Sequence, residues 1–122
     1  AYWDLVTKFC VAYNPDTAAN EYGLPLVDEY APTSDNTKYP GRNTLEETYQ
    51  FILSDLEKAG AITTKGEANL KYWSIDAVNA MRARVLLNMK DYTTAADVAL
   101  EVINTNNYNF LVTTCFNKLS TC

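Results

Sequence analysis

Residues 74–104, SIDAVNAMRARVLLNMKDYTTAADVALEVIN, decide the fold. The stretch reads as two antiparallel helices joined by a tight turn at Lys90-Asp91. Ser74 is placed to cap the first helix, because its hydroxyl can accept from a free N–H of the first turn. Asp76 puts negative charge where the helix dipole favours it. Ile75, Val78, Arg82, Val85 and Met89 share one face at helical spacing, and Ala80, Ala83, Leu86 and Leu87 share another. A helix apolar on two faces packs against neighbours on two sides.

The second helix, roughly Tyr92 to Asn104, carries Tyr92, Ala95, Ala96, Ala99, Val102 and Ile103 on its apolar side. Small Ala95, Ala96 and Ala99 allow another backbone to approach closely. Ala83, Leu86, Tyr92 and Ala95 stand at the relative spacing of one tetratricopeptide repeat. Asn79 sits where that repeat carries an early aromatic, and the closing proline is missing, so an ordinary helical hairpin is the competing reading. Either way a single hairpin cannot bury its own apolar faces, and helical neighbours are implied.

Those neighbours are legible upstream. A helix is predicted from about Thr44 to Ala59. Thr44-Leu45-Glu46-Glu47 has the spacing of a capping box, in which the Thr hydroxyl and the Glu47 carboxylate each satisfy a backbone donor of the other residue. Glu46 and Glu47 are neighbours in sequence and do not face each other on a helix, so capping is preferred to acid–base chemistry. Leu45, Tyr49, Ile52, Leu53, Leu56 and Ala59 form the buried stripe, and Gly60 is the expected stop. Asp55 lies close to that stripe. A pair between Asp55 and Arg82 or Arg84 of the later helix would account for charge near a core.

Residues 1 to about 13, AYWDLVTKFCVAY, read as a helix buried on a wide face. Trp3, Val6, Cys10 and Tyr13 lie on one side, and Tyr2, Leu5 and Phe9 on the adjacent one. Asn14-Pro15-Asp16 ends it. From Asn14 to Arg42, Pro15, Pro25, Pro32, Pro40, Gly23 and Gly41 interrupt any period. Gly23-Leu24-Pro25-Leu26-Val27 is an apolar piece held extended by its proline and is expected to pack over the helices. Thr33 to Lys38 is a polar loop, and a connection this long is either functional or simple solvated linkage.

The totals exclude several functions. The chain has 122 residues, enough for one modest core, and is 48% hydrophobic. A net charge of −5 argues against a nucleic-acid partner, which requires a basic face. With no histidine, classical triads and histidine-ligated metals are unavailable. Cys10, Cys115 and Cys122 are far apart and odd in number, which fits neither a closed disulfide framework nor a zinc site. Cys10 reads as a small core residue. No catalytic residue, metal ligand or cofactor is assigned. No apolar run is long enough to span a bilayer, and no signal peptide or lipidation motif is present. The chain starts at Ala1, inside the first expected helix, and is read as one partial domain, 1–122, of a longer protein.

The ordered set YWDLVTKF, GLPLV, Pro40-Gly41-Arg42, TLEETYQFILSDLEKA, AVNAMRARVLLNMKDYTTAADVALEVI and NTNNYNFL is similar to the SusD/RagB family. The resemblance implies an all-α fold of tetratricopeptide-like helical hairpins, an α-α superhelix with long irregular loops. It implies a non-catalytic lipoprotein of the outer membrane of Bacteroidetes, anchored at the cell surface by a lipidated cysteine. Such a protein captures an oligosaccharide or polysaccharide, or in some cases peptide, and passes it to a SusC-like TonB-dependent transporter. None of the three cysteines matches the lipidated position, and none of the family's ligand-contacting aromatics maps onto this chain. The helical region is then scaffold and docking surface rather than binding pocket.

By chemistry alone, a sugar site needs an exposed aromatic for the apolar ring face and nearby polar groups for the hydroxyls. Trp73 and Tyr72, with Asn69 and Lys71 beside them, meet that requirement best by composition, and Tyr39 comes next. Packing against the helices is the competing role for each. The functional alternative, from a different class, is a helical-repeat adaptor that binds peptides in a groove.

Overall fold

The computed structural model describes residues 1–27, 32, 34–63 and 73–106. Four α-helices follow in order: α1 (Tyr2–Phe9), α2 (Leu45–Ile62), α3 (Ile75–Asn88) and α4 (Tyr92–Asn104). A 3-10 turn at Asn36–Lys38 lies in the long connection before α2. Among the described residues there is no strand, only an isolated antiparallel bridge between Tyr22 and Thr44. The architecture is all-α and tetratricopeptide-like, as the sequence predicts.

The α3–α4 hairpin forms as its sequence dictates. Ser74 accepts from the Ala77 N–H and Asp91 accepts from the Thr94 N–H, so both helices begin with a side-chain cap. The reversal between them needs a left-handed residue, and Lys90 supplies it with φ 64°. The Lys90 and Asp91 N–H groups donate to Leu87 and Leu86 carbonyls, which satisfies acceptors at the end of α3. Val78 and Val85 are buried on one face, and Leu86 on the other. Leu86 packs with Ala95 and Val98 of α4, and Leu53 of α2 closes this second cluster.

The main core joins α1, α2 and α3. Val6, Leu45, Tyr49, Ile52 and Val85 are its buried members, with Tyr13 and Ala18 from the first loop. Three edge-on aromatic pairs fasten α1 and the segment after it to α2. Their ring centroids are 5.3 Å apart for Tyr2–Phe51, 6.4 Å for Trp3–Tyr49 and 4.8 Å for Tyr13–Tyr49. Cys10 is half-buried against this core, while Cys115 and Cys122 lie outside the described residues.

The N-terminus of α2 is closed by the first loop. Thr44 and Glu47 form the expected capping box. The Leu45 and Glu46 N–H groups donate to Glu21 and Ala18 carbonyls at 2.8 and 3.1 Å, so the free donors of the first turn find partners. Glu47 sits below the usual glutamate range because its carboxylate accepts first from the Thr44 N–H and then from Asn43. The piece Gly23-Leu24 lies directly on this turn. Gly23 donates to Asn43 O at 2.8 Å, and the Leu24 N–H donates to Thr48 Oγ1 at 3.0 Å. Arg42 locks the outer side, with Nε on Gly23 O at 2.9 Å and its guanidinium over the Tyr22 ring.

The structure differs from the sequence reading at four places. The first helix ends at Phe9, and Cys10 is already extended, so residues 10–13 run as an arm rather than a helical turn. Leu5 and Phe9 are consequently exposed, since α1 has only α2 and the loop to pack on. α2 does not stop at Gly60 but continues to Ile62. A Cβ at position 60 would lie 3.4 Å from the Ile75 side chain, so this glycine is where α3 approaches. Asp55 is exposed and pairs with Lys58, one turn along its own helix, at 3.7 Å. Among the described residues it forms no pair with Arg82, which is half-buried, or with Arg84, which is exposed.

Candidate functional site

Two of the three aromatic residues read as sugar contacts are described. Trp73 precedes the Ser74 cap of α3 and is 65% exposed, with no hydrogen bond or ring contact to other described residues. Tyr39 follows the 3-10 turn and is 58% exposed. Tyr72, with Asn69 and Lys71, lies outside the described residues.

A concavity lies elsewhere, where the arm after α1 meets the α3–α4 turn. It is a cleft of about 500 Å³, within the range that holds small ligands. One wall comes from the end of α1 and the arm, with Val6, Cys10 and Tyr13. The other comes from the turn, with Leu87, Asn88, Lys90 and Tyr92. Tyr49 of α2 lies between them. The two walls are far apart in sequence, and only the packing of α1 and α3 on α2 brings them together.

The floor is a pair of buried phenols with different partners. Tyr13 donates its hydroxyl to the Glu46 carboxylate, which also accepts from Gln50. Burial first, and the adjacent Glu46 charge second, push the Tyr13 hydroxyl well above its ordinary value. Tyr49 is also pushed up, chiefly by burial. Its residue is only 3% exposed, yet its hydroxyl makes no hydrogen bond to any described residue. No fully enclosed side-chain oxygen or nitrogen among the described residues lacks a partner. The Tyr49 hydroxyl is therefore not fully enclosed, and its residue lines the cleft.

The rim is polar and carries one lysine. Asn88 donates its amide to Arg84 O at 3.1 Å, which leaves its side-chain oxygen as an acceptor. Lys90 makes no ion pair with the described residues. The Tyr92 side chain is 61% exposed at the start of α4. Sequence reading missed this site, because Tyr49 and Tyr13 present as core aromatics and Lys90 as a turn residue.

Among the described residues no group of three or more acidic, cysteine or histidine side chains could hold a metal ion. No helix among them is long and apolar enough to cross a membrane.

No protein-family model matches the chain, and no curated protein does. Solved structures do. A SusD superfamily protein from Bacteroides vulgatus ATCC 8482 matches 85% of the chain at 31% identity and a TM-score of 0.70. Another, from Bacteroides thetaiotaomicron VPI-5482, matches 89% at 31% identity and a TM-score of 0.69. A proposed sugar-binding protein from Bacteroides vulgatus ATCC 8482 matches 84% at 29% identity and a TM-score of 0.73. The chain spans only 22%, 23% and 22% of these three proteins, respectively. This identity and fold similarity over most of the chain carry a single conclusion: the chain is SusD-like, similar to part of SusD superfamily proteins.

Proposed function

We propose that the chain is the helical scaffold of a glycan-capture protein that works at the cell surface with a TonB-dependent outer-membrane transporter. The observation that carries this reading is the match over most of the chain, at 29–31% identity, to two SusD superfamily structures and to a proposed sugar-binding protein. Capture without bond-breaking suits the residues present. The chain contains no histidine, and the titratable groups with raised pKa, Tyr13 and Tyr49, are held as neutral phenols at ordinary pH.

In this reading α2, α3 and α4 position the rest of the protein and offer a surface for the transporter. Trp73 and Tyr39 are two exposed aromatics on which a sugar ring could stack. The test is a glycan array on the full protein, paired with affinity purification from its native host. The expected result is saccharide binding without turnover, and co-purification of an outer-membrane β-barrel. A protein that binds no saccharide and purifies without such a partner would overturn the reading. Trp73→Ala and Tyr39→Ala should each weaken binding several-fold if these rings touch sugar.

A further inference from the structure

The cleft between the arm and the α3–α4 turn has a composition unlike the rest of the chain. The protein carries 15 acidic and 10 basic residues, yet the cleft is lined by one lysine and no carboxylate. Glu46 does not line it; its carboxylate accepts from the Tyr13 phenol and from Gln50. A lysine on a cleft with no carboxylate among its described lining residues gives an anion a local partner on an otherwise acidic molecule.

Three further groups narrow the class. The Tyr49 side chain is nine-tenths buried and rigidly held, with Trp3 and Tyr13 edge-on to its ring. Its hydroxyl nevertheless has no hydrogen-bond partner among the described residues, and the residue lines the cleft. A donor fixed in this way, at the base of a cleft, is a preorganised contact for a ligand oxygen. Asn88 presents a side-chain acceptor for a ligand hydroxyl. Tyr92 offers an exposed ring at the rim, suited to the C–H face of a pyranose.

A donor, an acceptor, a flat ring and a single cation together describe a sugar that carries a carboxylate. We infer that this cleft binds a uronic-acid unit of a saccharide, with the carboxylate on Lys90, a ring or hydroxyl oxygen on Tyr49, and the ring face on Tyr92. The inference rests on the glycan-capture reading and adds to it a second contact site, remote from Trp73 and Tyr39, together with a charge preference. Lys90 is held at the reversal by its left-handed backbone, so its ammonium has a fixed root beside the opening.

The test is calorimetric titration of the full chain with digalacturonic acid and, separately, with maltose as a neutral disaccharide. Digalacturonic acid is expected to bind, and about tenfold more weakly at 0.5 M than at 0.05 M salt, because the ion pair is solvent-accessible. Lys90→Asn, which keeps a residue that tolerates the left-handed turn, should weaken it roughly tenfold and leave far-UV circular dichroism unchanged. Tyr49→Phe removes only the hydroxyl and should weaken it about five- to tenfold. If digalacturonic acid binds but both variants match the parent, or if maltose binds and digalacturonic acid does not, the cleft assignment is wrong and glycan capture stands. If no saccharide of either kind, nor any on the array, binds the parent, glycan capture fails and the cleft assignment fails with it.

Discussion

Gly23→Ala isolates the junction on which the fold depends. A Cβ at this position would lie 2.2 Å from Thr48 Oγ1, 2.3 Å from Thr44 O and 2.8 Å from Thr44 C. Two of these atoms are backbone of the α2 cap, and Thr48 is fully buried with its hydroxyl donating to Thr44 O at 2.9 Å. None of them can swing away, so the 23–24 segment must lift. Lifting it strains or breaks Gly23 N–H to Asn43 O, Leu24 N–H to Thr48 Oγ1, Asn43 N–H to Leu24 O, and Arg42 Nε to Gly23 O. Losing two or three of these at about 1 kcal/mol each, with Thr48 left under-satisfied, costs about 2–4 kcal/mol. The alanine recovers about 0.4–1 kcal/mol by restricting the unfolded chain. The net expectation is a loss of roughly 2–3 kcal/mol, read from urea unfolding followed by circular dichroism at constant slope. Gly41→Ala is the matched control, because nothing lies within 4 Å of a Cβ there, and it should change stability by less than about 0.5 kcal/mol. A Gly23→Ala protein as stable as the Gly41→Ala protein would refute the close-approach argument.

Three other outcomes are expected. Leu45→Ala, at a position with no exposure, should cost about 2–5 kcal/mol in the same assay; a cost under about 1 kcal/mol would mean the main core is not centred there. Glu47 has a lowered pKa when folded, so its contribution is present above the ordinary glutamate value and is lost as pH falls through the folded value. Glu47→Ala should flatten the acid limb of stability against pH, and an unchanged limb would show that the carboxylate does not cap α2. Tyr13 has a raised pKa when folded, so its contribution is complete below the ordinary value of 10.0 and is lost as pH rises above it. Tyr13→Phe should flatten the alkaline limb, and absorbance at 295 nm should lose its latest-titrating tyrosine.

Local chemistry was readable wherever it acts over a few residues. The Ser74 cap, the Thr44–Glu47 box and the reversal at Lys90-Asp91 each follow from side chains three or fewer positions apart. The order of motifs around them also carried the family. What could not be read depends on what lies opposite in space. Gly60 looks like a stop until α3 is seen pressing Ile75 against it. Asp55 looks core-facing on a helical wheel, but it stands in water beside Lys58. The expected face of Leu5 and Phe9 is apolar by spacing, yet α1 is too short and too peripheral to bury it. The cleft was the least legible feature. Its walls come from opposite ends of the described chain, and its most telling property, a buried phenol without an acceptor, has no signature in sequence.

The three-residue reversal between α3 and α4 has a consequence for how the chain acquires its structure. Contacts across that hairpin close short loops, whereas Leu24 reaches Thr48, and Val6 reaches Val85, only after long segments are drawn in. Short loops close at smaller entropic cost, so the hairpin is expected to form early and the arm and α1 to dock late. Synthesis runs in the opposite direction. α1 leaves the ribosome before α3, so Val6 waits uncovered until Val85 emerges. Pulse-labelling hydrogen exchange during refolding should accordingly protect amides of α3 and α4 before those of Gly23 and Leu24, and the reverse order would rule this sequence of events out.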